Sequence, residues 1–254
     1  MNKKILITGS SRGIGFSIAE YFLKNGWDVC VTGKNKENVE KAKITLNSNQ
    51  KNSIFEQIDF RKKSEILDLK KKIIDNWGGL DSLVINIGSG KGTKGLSSSF
   101  QENYDLFNTN FLTAYNTVVI LKDLLLKSYG GAIIFIGSIA SERNVGSPIN
   151  YAMSKKSLGI LNSYFSLELS KFGIRVNCIN PGHINVKDGI WNKKSKENEE
   201  EFERFIKTNT LIKRIIEPEE IASFTYSLVQ SEHGGAFSGS RITLDGGTSL
   251  VRFN

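Results

Sequence analysis

The stretch "TGSSRGIG", residues 8–15, decides the fold. It follows the β-rich run "KKILIT" (3–8) and leads into an amphipathic segment, 14–25, that stops at Gly26, a residue suited to a helix C-cap. Strand, glycine-rich turn and helix in this order bring backbone N–H groups to a helix start, where the macrodipole attracts anions. Gly9, Gly13 and Gly15 are spaced G-x-x-x-G-x-G, not in the commoner G-x-G-x-x-G. The physics is shared: glycines allow a tight turn and let a pyrophosphate approach the backbone. A glycine turn can merely end a strand, but one set between the first strand and the first helix is the expected phosphate site.

Outward from this turn the same alternation continues. Strand-like runs at 27–32 ("WDVCVT"), 53–58 ("SIFEQI"), 81–86 ("DSLVIN"), 131–138 ("GAIIFIGS"), 174–180 ("IRVNCIN") and 240–245 ("SRITLD") alternate with helix-like segments at 36–48, 62–76, 100–127, 150–171 and 218–230. "DSLVIN" is apolar almost throughout, as expected of a strand covered on both faces. The pattern predicts an α/β fold: a doubly wound parallel sheet of about seven strands with helices on both faces, the Rossmann arrangement. With 254 residues, three prolines and no internal repeat or low-complexity linker, the chain reads as a single domain over 1–254.

Composition narrows the function classes. Hydrophobic residues are 39% and charged residues 24%, and no apolar run approaches the ~20 residues of a membrane span. The N-terminus turns directly into a strand, so no signal peptide is expected and the cytoplasm is the default location. Cys30 and Cys178 lie in strand-like runs and are expected to be buried free thiols. No metal site is expected. The net charge of +8 is spread over segments such as "KNKENVEKAK", where lysines interleave with acids at helical spacing. Without a basic and aromatic stripe, no nucleic-acid partner is expected, though the charge favours anionic small molecules or an acidic carrier.

A second glycine-rich stretch, "NIGSGKGTKG" (86–95), raises the alternative of a triphosphate-binding P-loop. That motif requires G-x-x-x-x-G-K-[ST] running from a strand straight into a helix. Here Lys91 is followed by Gly92, and the required spacing of glycines is missing: four residues before Gly90 stands Asn86. The next helix starts only at Ser99, where "SFQE" offers a capping box of Ser99 with Glu102. The P-loop reading fails. Lys91 and Lys94 are left near the carboxyl edge of the sheet, either gripping a phosphate or carboxylate of the substrate or simply solvated.

The end of the second strand, "VTGKN", bears on the cofactor. An NAD site has an Asp or Glu near this point for the ribose 2′-hydroxyl. This chain has Gly33 and Lys34 there, and Arg12 inside the glycine turn. Two cations without a carboxylate suit a 2′-phosphate, so NADP(H) is expected over NAD; the plainer alternative is two exposed surface cations.

With these residues in place, the sequence resembles the short-chain dehydrogenase/reductase family over essentially its whole length. "TGSSRGIG" and "YAMSK" (151–155) carry the likeness, and "NIG" (86–88), "NTNF" (108–111), "GSIAS" around Ser138, "NPG" (180–182), "RIIEPEEIA" (214–222) and "LDGG" (244–247) follow in the family's order. The resemblance implies a catalytic set of Asn110, Ser138, Tyr151 and Lys155. It also implies cofactor contacts by Gly9, Ser11, Arg12, Gly13, Ile14, Gly15, Lys34, Asp59, Phe60, Asn86, Gly88, Pro181, Gly182 and Ile184, and by Tyr151 and Lys155 themselves. Asp59 corresponds to the family's adenine-contacting acid, Asn86 and Gly88 to its ribose side. A homotetramer is expected on the same ground.

The Tyr-x-x-x-Lys spacing has its own meaning. With 7 tyrosines and 34 Lys+Arg, chance alone supplies about one such match. Tyr151, however, is the only tyrosine with a lysine four residues later, and it begins a helix after a strand ending in Ser138. Residues i and i+4 share a helix face, so Lys155 is within reach of Tyr151 or the neighbouring ribose. A free tyrosine, at about pKa 10, trades protons poorly at neutral pH. A cation about 4 Å away at an effective dielectric of about 20 is worth about 4 kcal/mol, and is expected to lower it. Tyr151 would then be the general acid for reducing a carbonyl and the base in reverse, with Ser138 bonding the substrate oxygen. By resemblance, Asn110 holds a water in the proton relay from Lys155.

Three positions depart from the family wording: Ile85 and Ile87 in "INIG", and Val186 where a threonine would contact the nicotinamide amide. His183 either faces that pocket or lies on a surface loop. The polar segment 187–210 stands where the family has its substrate lid, with Ile190 and Trp191 as apolar candidates for closing over substrate. In motif wording the chain is most similar to 3-oxoacyl carrier-protein reductases. The substrate is thus a small carbonyl or alcohol, anionic or carrier-bound, with an anionic sugar or sugar nucleotide as the alternative. A non-catalytic NADP-binding regulator is the alternative of another class, against which the intact tetrad weighs.

Overall fold

The computed structural model describes residues 2–46, 52–126 and 130–251. Among these, β1 (Lys4–Ile7), β2 (Asp28–Gly33), β3 (Ile54–Gln57), β4 (Ser82–Ile85), β5 (Ala132–Ile136), β6 (Arg175–Pro181) and β7 (Arg241–Leu244) form one seven-stranded sheet. Every neighbouring pair is parallel, in the order β3-β2-β1-β4-β5-β6-β7. The order reverses between β1 and β4, which opens a crevice at the carboxyl ends of these two strands. This is the doubly wound α/β sheet read from the sequence.

Both faces are covered because successive strand residues point to opposite sides. In β5, Ile133 and Phe135 enter one core while Ala132, Ile134 and Ile136 enter the other. The first core receives Ile66, Leu69 and Ile73 from α3 (Lys63–Trp77), Val118 and Leu121 from α5 (Thr113–Leu125), and Leu158 and Leu161 from α6 (Ile149–Ser170). The second receives Ile18 and Phe22 from α1 (Gly13–Lys24), Ala42 from α2 (Lys36–Thr45), and Ile221 and Leu228 from α9 (Pro218–Val229). Gly26 and Gly78, at φ +80° and +76°, turn the chain out of α1 and α3 in the left-handed region that glycine occupies without strain.

The helix expected over 100–127 is not continuous. α4 (Phe100–Phe107) passes into a π-helical turn, Asn108–Leu112, before α5 begins. Such a turn admits an extra residue, and here it carries Asn110, whose amide is anchored outside the helix. Residue 127 and residues 47–48 of the expected second helix lie outside the described residues. Ser99 caps α4 by accepting from Glu102 N at 3.1 Å. The Glu102 carboxylate, however, turns to Thr93, accepting from its N and at 2.8 Å from its Oγ1, so the box forms only by half. Glu102 instead pins the loop that follows β4.

The polar segment 187–210 folds into α7 (Ile190–Glu197) and α8 (Glu199–Asn209). Cys30 and Cys178 are buried free thiols, and burial pushes Cys178 up to about 12. Among the described residues, no helix is long and apolar enough to cross a membrane.

Candidate active site

The glycine turn is held from two neighbouring strands. Ser10 Oγ donates to Ile7 O at 2.7 Å and accepts from Thr32 N at 2.9 Å, while Gly9 N donates to Thr32 Oγ1 at 3.1 Å. From β4, Asn86 Nδ2 donates to Thr8 O at 3.1 Å and to Gly9 O at 3.0 Å. Gly9 and Gly13 have φ near +63° and +64°, and a Cβ on Gly15 would lie 2.5 Å from Asn86 Nδ2. The turn therefore tolerates only glycine at these places. α1 has no side-chain cap and no acid in its first turn, whereas α2, α4 and α8 are capped by Asn35, Ser99 and Asn198. An uncapped helix start behind a turn kept open by Gly9, Gly13 and Gly15 fits a dinucleotide pyrophosphate. Arg12, exposed at the N-cap position, borders it.

At the end of β2, a Cβ on Gly33 would lie 2.3 Å from Ser11 Oγ, so this point has no room for an acid. Lys34 is exposed beside it, its Nζ 3.3 Å from Asp59 Oδ2. Asp59 is claimed more strongly by Arg61, which donates from Nε at 2.9 Å and from Nη2 at 2.5 Å. That hydrogen bonding, with Lys34 adding to it, holds the Asp59 carboxyl well below the usual carboxylate range. Arg61 escaped the sequence reading, though an arginine two residues after the acid was a visible signal. Phe60 is buried in the core, so only its backbone faces the cleft edge.

On the other side of the crevice the structure brings Asn110, Ser138, Tyr151 and Lys155 together. Asn110 is fully buried; its Oδ1 accepts from Ser89 N at 2.8 Å and its Nδ2 donates to Ser89 O at 3.1 Å. A Cβ on Gly88 would lie 2.8 Å from Asn110 Oδ1 and 2.9 Å from Lys155 Nζ, so the bare Gly88 backbone separates these two groups. Lys155 Nζ donates to Ile136 O at 2.8 Å. Its burial lowers its pKa to about 8. Ser138, just past β5, caps a short 3-10 turn by accepting from Ala140 N at 3.2 Å. A Cβ on Gly90 would lie 3.9 Å from the Tyr151 ring, and the exposed Lys91 and Lys94 follow it along the chain.

The tuning of Tyr151 differs from the expectation. Burial raises its pKa, and the Ser138 side chain acts against burial. The lysine spends its ammonium on a carbonyl at the end of β5 and on the space beside Gly88. Helical spacing places the two residues on one face, but it does not say which neighbour each side chain takes.

The departures from the family wording are absorbed by packing. Ile85 is buried in the core; Ile87 Cγ1 lies 3.0 Å from the Cβ position of Gly9, and Val186 Cγ1 3.3 Å from that of Gly13. A Cβ on Gly182, after Pro181, would lie 2.7 Å from Asp245 Cα, and Ile184 is buried and bridged to Ile216. His183 is not on the surface. Its ring centroid is 4.1 Å from that of Trp191 and 5.3 Å from that of Phe205, which stack on each other at 4.9 Å. Trp191 thus packs inward against the loop after β6, while Ile190 is 65% exposed. Phe205, which the sequence reading missed, completes the clamp that seats both helices of the segment.

A glycine turn at the switch point, with Ser138, Tyr151 and a buried lysine across the crevice, is a candidate nucleotide site of a doubly wound α/β protein. Comparison makes the class specific. The short chain dehydrogenase family profile matches residues 3–199, and the chain belongs to that family. It is thereby an oxidoreductase of a family that binds a nicotinamide cofactor. It is 31% identical to the 3-oxoacyl-acyl-carrier-protein reductase of Chlamydia trachomatis serovar D, over 97% of each chain. It is 28% identical to the 7alpha-hydroxysteroid dehydrogenase of Paraclostridium sordellii, over 98% of this chain and 92% of the other. Among solved structures, L-sorbose reductase of Gluconobacter frateurii, complexed with NADPH and L-sorbose, superposes with a TM-score of 0.89 at 28% identity, over 97% of this chain and 96% of that one.

Burial, with Lys194 adding to it, lowers the His183 pKa to about 4. The unfolded chain therefore binds a proton near pH 6.5 that the folded chain refuses until about pH 4, and stability falls as pH drops through that window. Between pH 7 and 4.5 this costs about 2–3 kcal/mol. Urea unfolding of the wild type and of His183→Phe at both pH values should show this part of the loss missing from the variant. An identical loss in both would contradict it.

Proposed function

We propose that this chain is an NADP(H)-dependent oxidoreductase of a single domain that reduces a carbonyl to an alcohol in the cytoplasm. The observation that carries the reading is the meeting of Lys155 and Asn110 at the bare Gly88 backbone, with the Ser138 side chain beside the buried Tyr151 phenol. The bound nicotinamide supplies the hydride. Ser138 and Tyr151 hydrogen-bond the substrate oxygen as charge develops on it, and Tyr151 gives it a proton. Burial keeps the phenol protonated at neutral pH, the form that reduction requires. Lys155, still mostly protonated at neutral pH, replenishes that proton through a water that we assign to Asn110. The reverse reaction needs Tyr151 as base.

The crowding of Gly33 by Ser11 and the exposed cations Arg12 and Lys34 support NADP(H) over NAD. The NADPH complex of the L-sorbose reductase is consistent with this. The full-length likeness to a 3-oxoacyl-acyl-carrier-protein reductase favours a 3-oxoacyl substrate, and the exposed Lys91 and Lys94 suit an anionic or carrier-bound one. The L-sorbose reductase, whose sugar is an uncharged ketose, supports a sugar as the second reading, and the anionic sugar or sugar nucleotide rests on Lys91 and Lys94 alone. Segment 187–210 is assigned as the lid, seated through Trp191 and Phe205 on His183. A screen of NADPH oxidation over 3-oxoacyl thioesters, keto-sugars and small diketones separates these substrates; unchanged KM in Lys91→Ala and Lys94→Ala would leave the lysines as solvated loop residues.

We take the chain to be a homotetramer, and one helix face supports association between copies. On α6, Met153, Ile160, Tyr164 and Leu167 are 55–72% exposed at helical spacing, beside Tyr115 of α5. Such a stripe is covered in an obligate assembly.

Tyr151→Phe should reduce NADPH oxidation by at least about 10³-fold while NADPH binding, read by fluorescence titration, stays within about twofold; full activity would sink the mechanism. kcat/KM with NADPH should exceed that with NADH by at least tenfold, and Lys34→Ala with Arg12→Ala should erase most of the difference. A clear NADH preference would refute the roles given to these cations. Sedimentation should give the mass of a tetramer, and a monomer at micromolar concentration would contradict the assignment of the α6 face.

A further inference from the structure

Ser138 stands just beyond the end of β5, where the sheet ladder runs out. The last ladder bond is Gly137 N donating to Ile179 O at 2.7 Å. The next amide, Ser138 N, donates to the side-chain Oδ1 of Asn180 at 3.3 Å. Asn180 is 2% exposed, and its Oδ1 also accepts from Cys178 Sγ at 3.5 Å. A Cβ on Gly137 would lie 2.1 Å from that oxygen, so the bare glycine is what admits the Asn180 side chain at this point.

The other end of the amide is held as well. Asn180 Nδ2 donates to Glu142 Oε1 at 3.4 Å. Glu142 Oε2 accepts from Lys156 Nζ at 3.0 Å, and Arg241 Nη1 lies 3.7 Å from Oε1. Ser141 Oγ donates to Oε1 at 3.3 Å. One carboxylate therefore joins the Ser138 turn, β6, β7 and the helix that carries Tyr151 and Lys155. An asparagine amide has no intrinsic preference for which end is which; a carboxylate, which only accepts, forces the nitrogen toward itself and the oxygen toward Ser138 N. Its neighbouring cations lower the Glu142 pKa against burial, so the carboxylate is charged at neutral pH.

We infer that Asn180, oriented by Glu142, is a positioning residue that fixes the Ser138 turn and so sets the hydrogen bond between Ser138 and Tyr151. The inference rests on the roles proposed above for Ser138 and Tyr151. Ser138 opposes the effect of burial on Tyr151. The charged groups around the pair are Lys155 on the helix of Tyr151, and Glu142, Lys156 and Arg241 on the far side of Asn180. Loosening the turn therefore weakens a contact that stabilises the tyrosinate.

The test reverses the polarity of the link. Asn180→Asp keeps an acceptor for Ser138 N but sets a second carboxylate against Glu142. Adding Glu142→Gln returns a donor to the pair, which can then close in the opposite sense. The state of Tyr151 is read from its 13Cζ resonance, assigned with Tyr151→Phe, in a titration that needs neither substrate nor cofactor. In Asn180→Asp the Tyr151 pKa should rise by about one unit, and the double variant should return to within about 0.3 unit of wild type. With an active substrate in hand, kcat should fall about tenfold in the single variant and recover in the double, with KM for NADPH unchanged. If Asn180→Asp does not fold, Asn180→Ala carries the same expected rise. An unmoved Tyr151 titration, or a double variant no better than the single, overturns the inference. A shifted titration in a protein that reduces no carbonyl would overturn the proposed function and leave the positioning role standing.

Discussion

The nucleotide side of this protein depends on one pair of hydrogen bonds, those from Asn86 Nδ2 to the carbonyls of Thr8 and Gly9. They tie β4 to the glycine turn after β1 at the point where the strand order reverses. Without a partner these carbonyls would face a narrow, part-buried space, where an unmet acceptor is costly. The bond also explains the glycines: Gly9 turns the chain in the left-handed region, and Gly15 leaves space for the Asn86 amide. Thr8 closes the same junction, its Oγ1 accepting from Asn86 N at 2.9 Å. A turn held so closely presents an uncapped α1 start to the crevice.

The catalytic side works under the opposite constraint, that of placing charge and hydroxyls where water is scarce. Lys155 loses hydration on burial, which favours its neutral form. The Ile136 carbonyl compensates in part, and it is available because β5 ends there and its last carbonyls face the crevice. Tyr151 feels the same loss of water, and Ser138 opposes it. The two residues of the Tyr-x-x-x-Lys pair are therefore tuned by different strand-end groups. The sheet edge, more than the helix spacing, determines their chemistry.

The loop "NIGSGKGTKG" shows how reading by pattern and reading by contact diverge. As sequence it is a failed P-loop. In three dimensions it is two pieces: Asn86 to Gly88 belong to the junction of β4, β1 and Lys155, and Gly90 lies by the Tyr151 ring before Glu102 pins Thr93. The order of strands and helices was legible because binary patterning is local and repeated. The π-helical turn at Asn110 was not, because one extra residue in a helix hardly changes hydrophobic periodicity. Trp191 was legible as an apolar residue in a charged segment, yet its partners His183 and Phe205 are set by how two short helices fold back.

By itself the sequence determined the doubly wound sheet, the glycine turn between the first strand and the first helix, the failure of the P-loop spacing, and the residues of the Tyr151–Lys155 pair. These follow from propensity, spacing and patterning, which act between near neighbours. Only the tertiary structure decided that Arg61 claims Asp59, that Lys155 donates to the Ile136 carbonyl, and that Asn180 and Glu142 hold the Ser138 turn. Those partners come from separate strands and helices. Their contacts depend on which strand ends stand side by side, and that is fixed by the packing of the whole sheet.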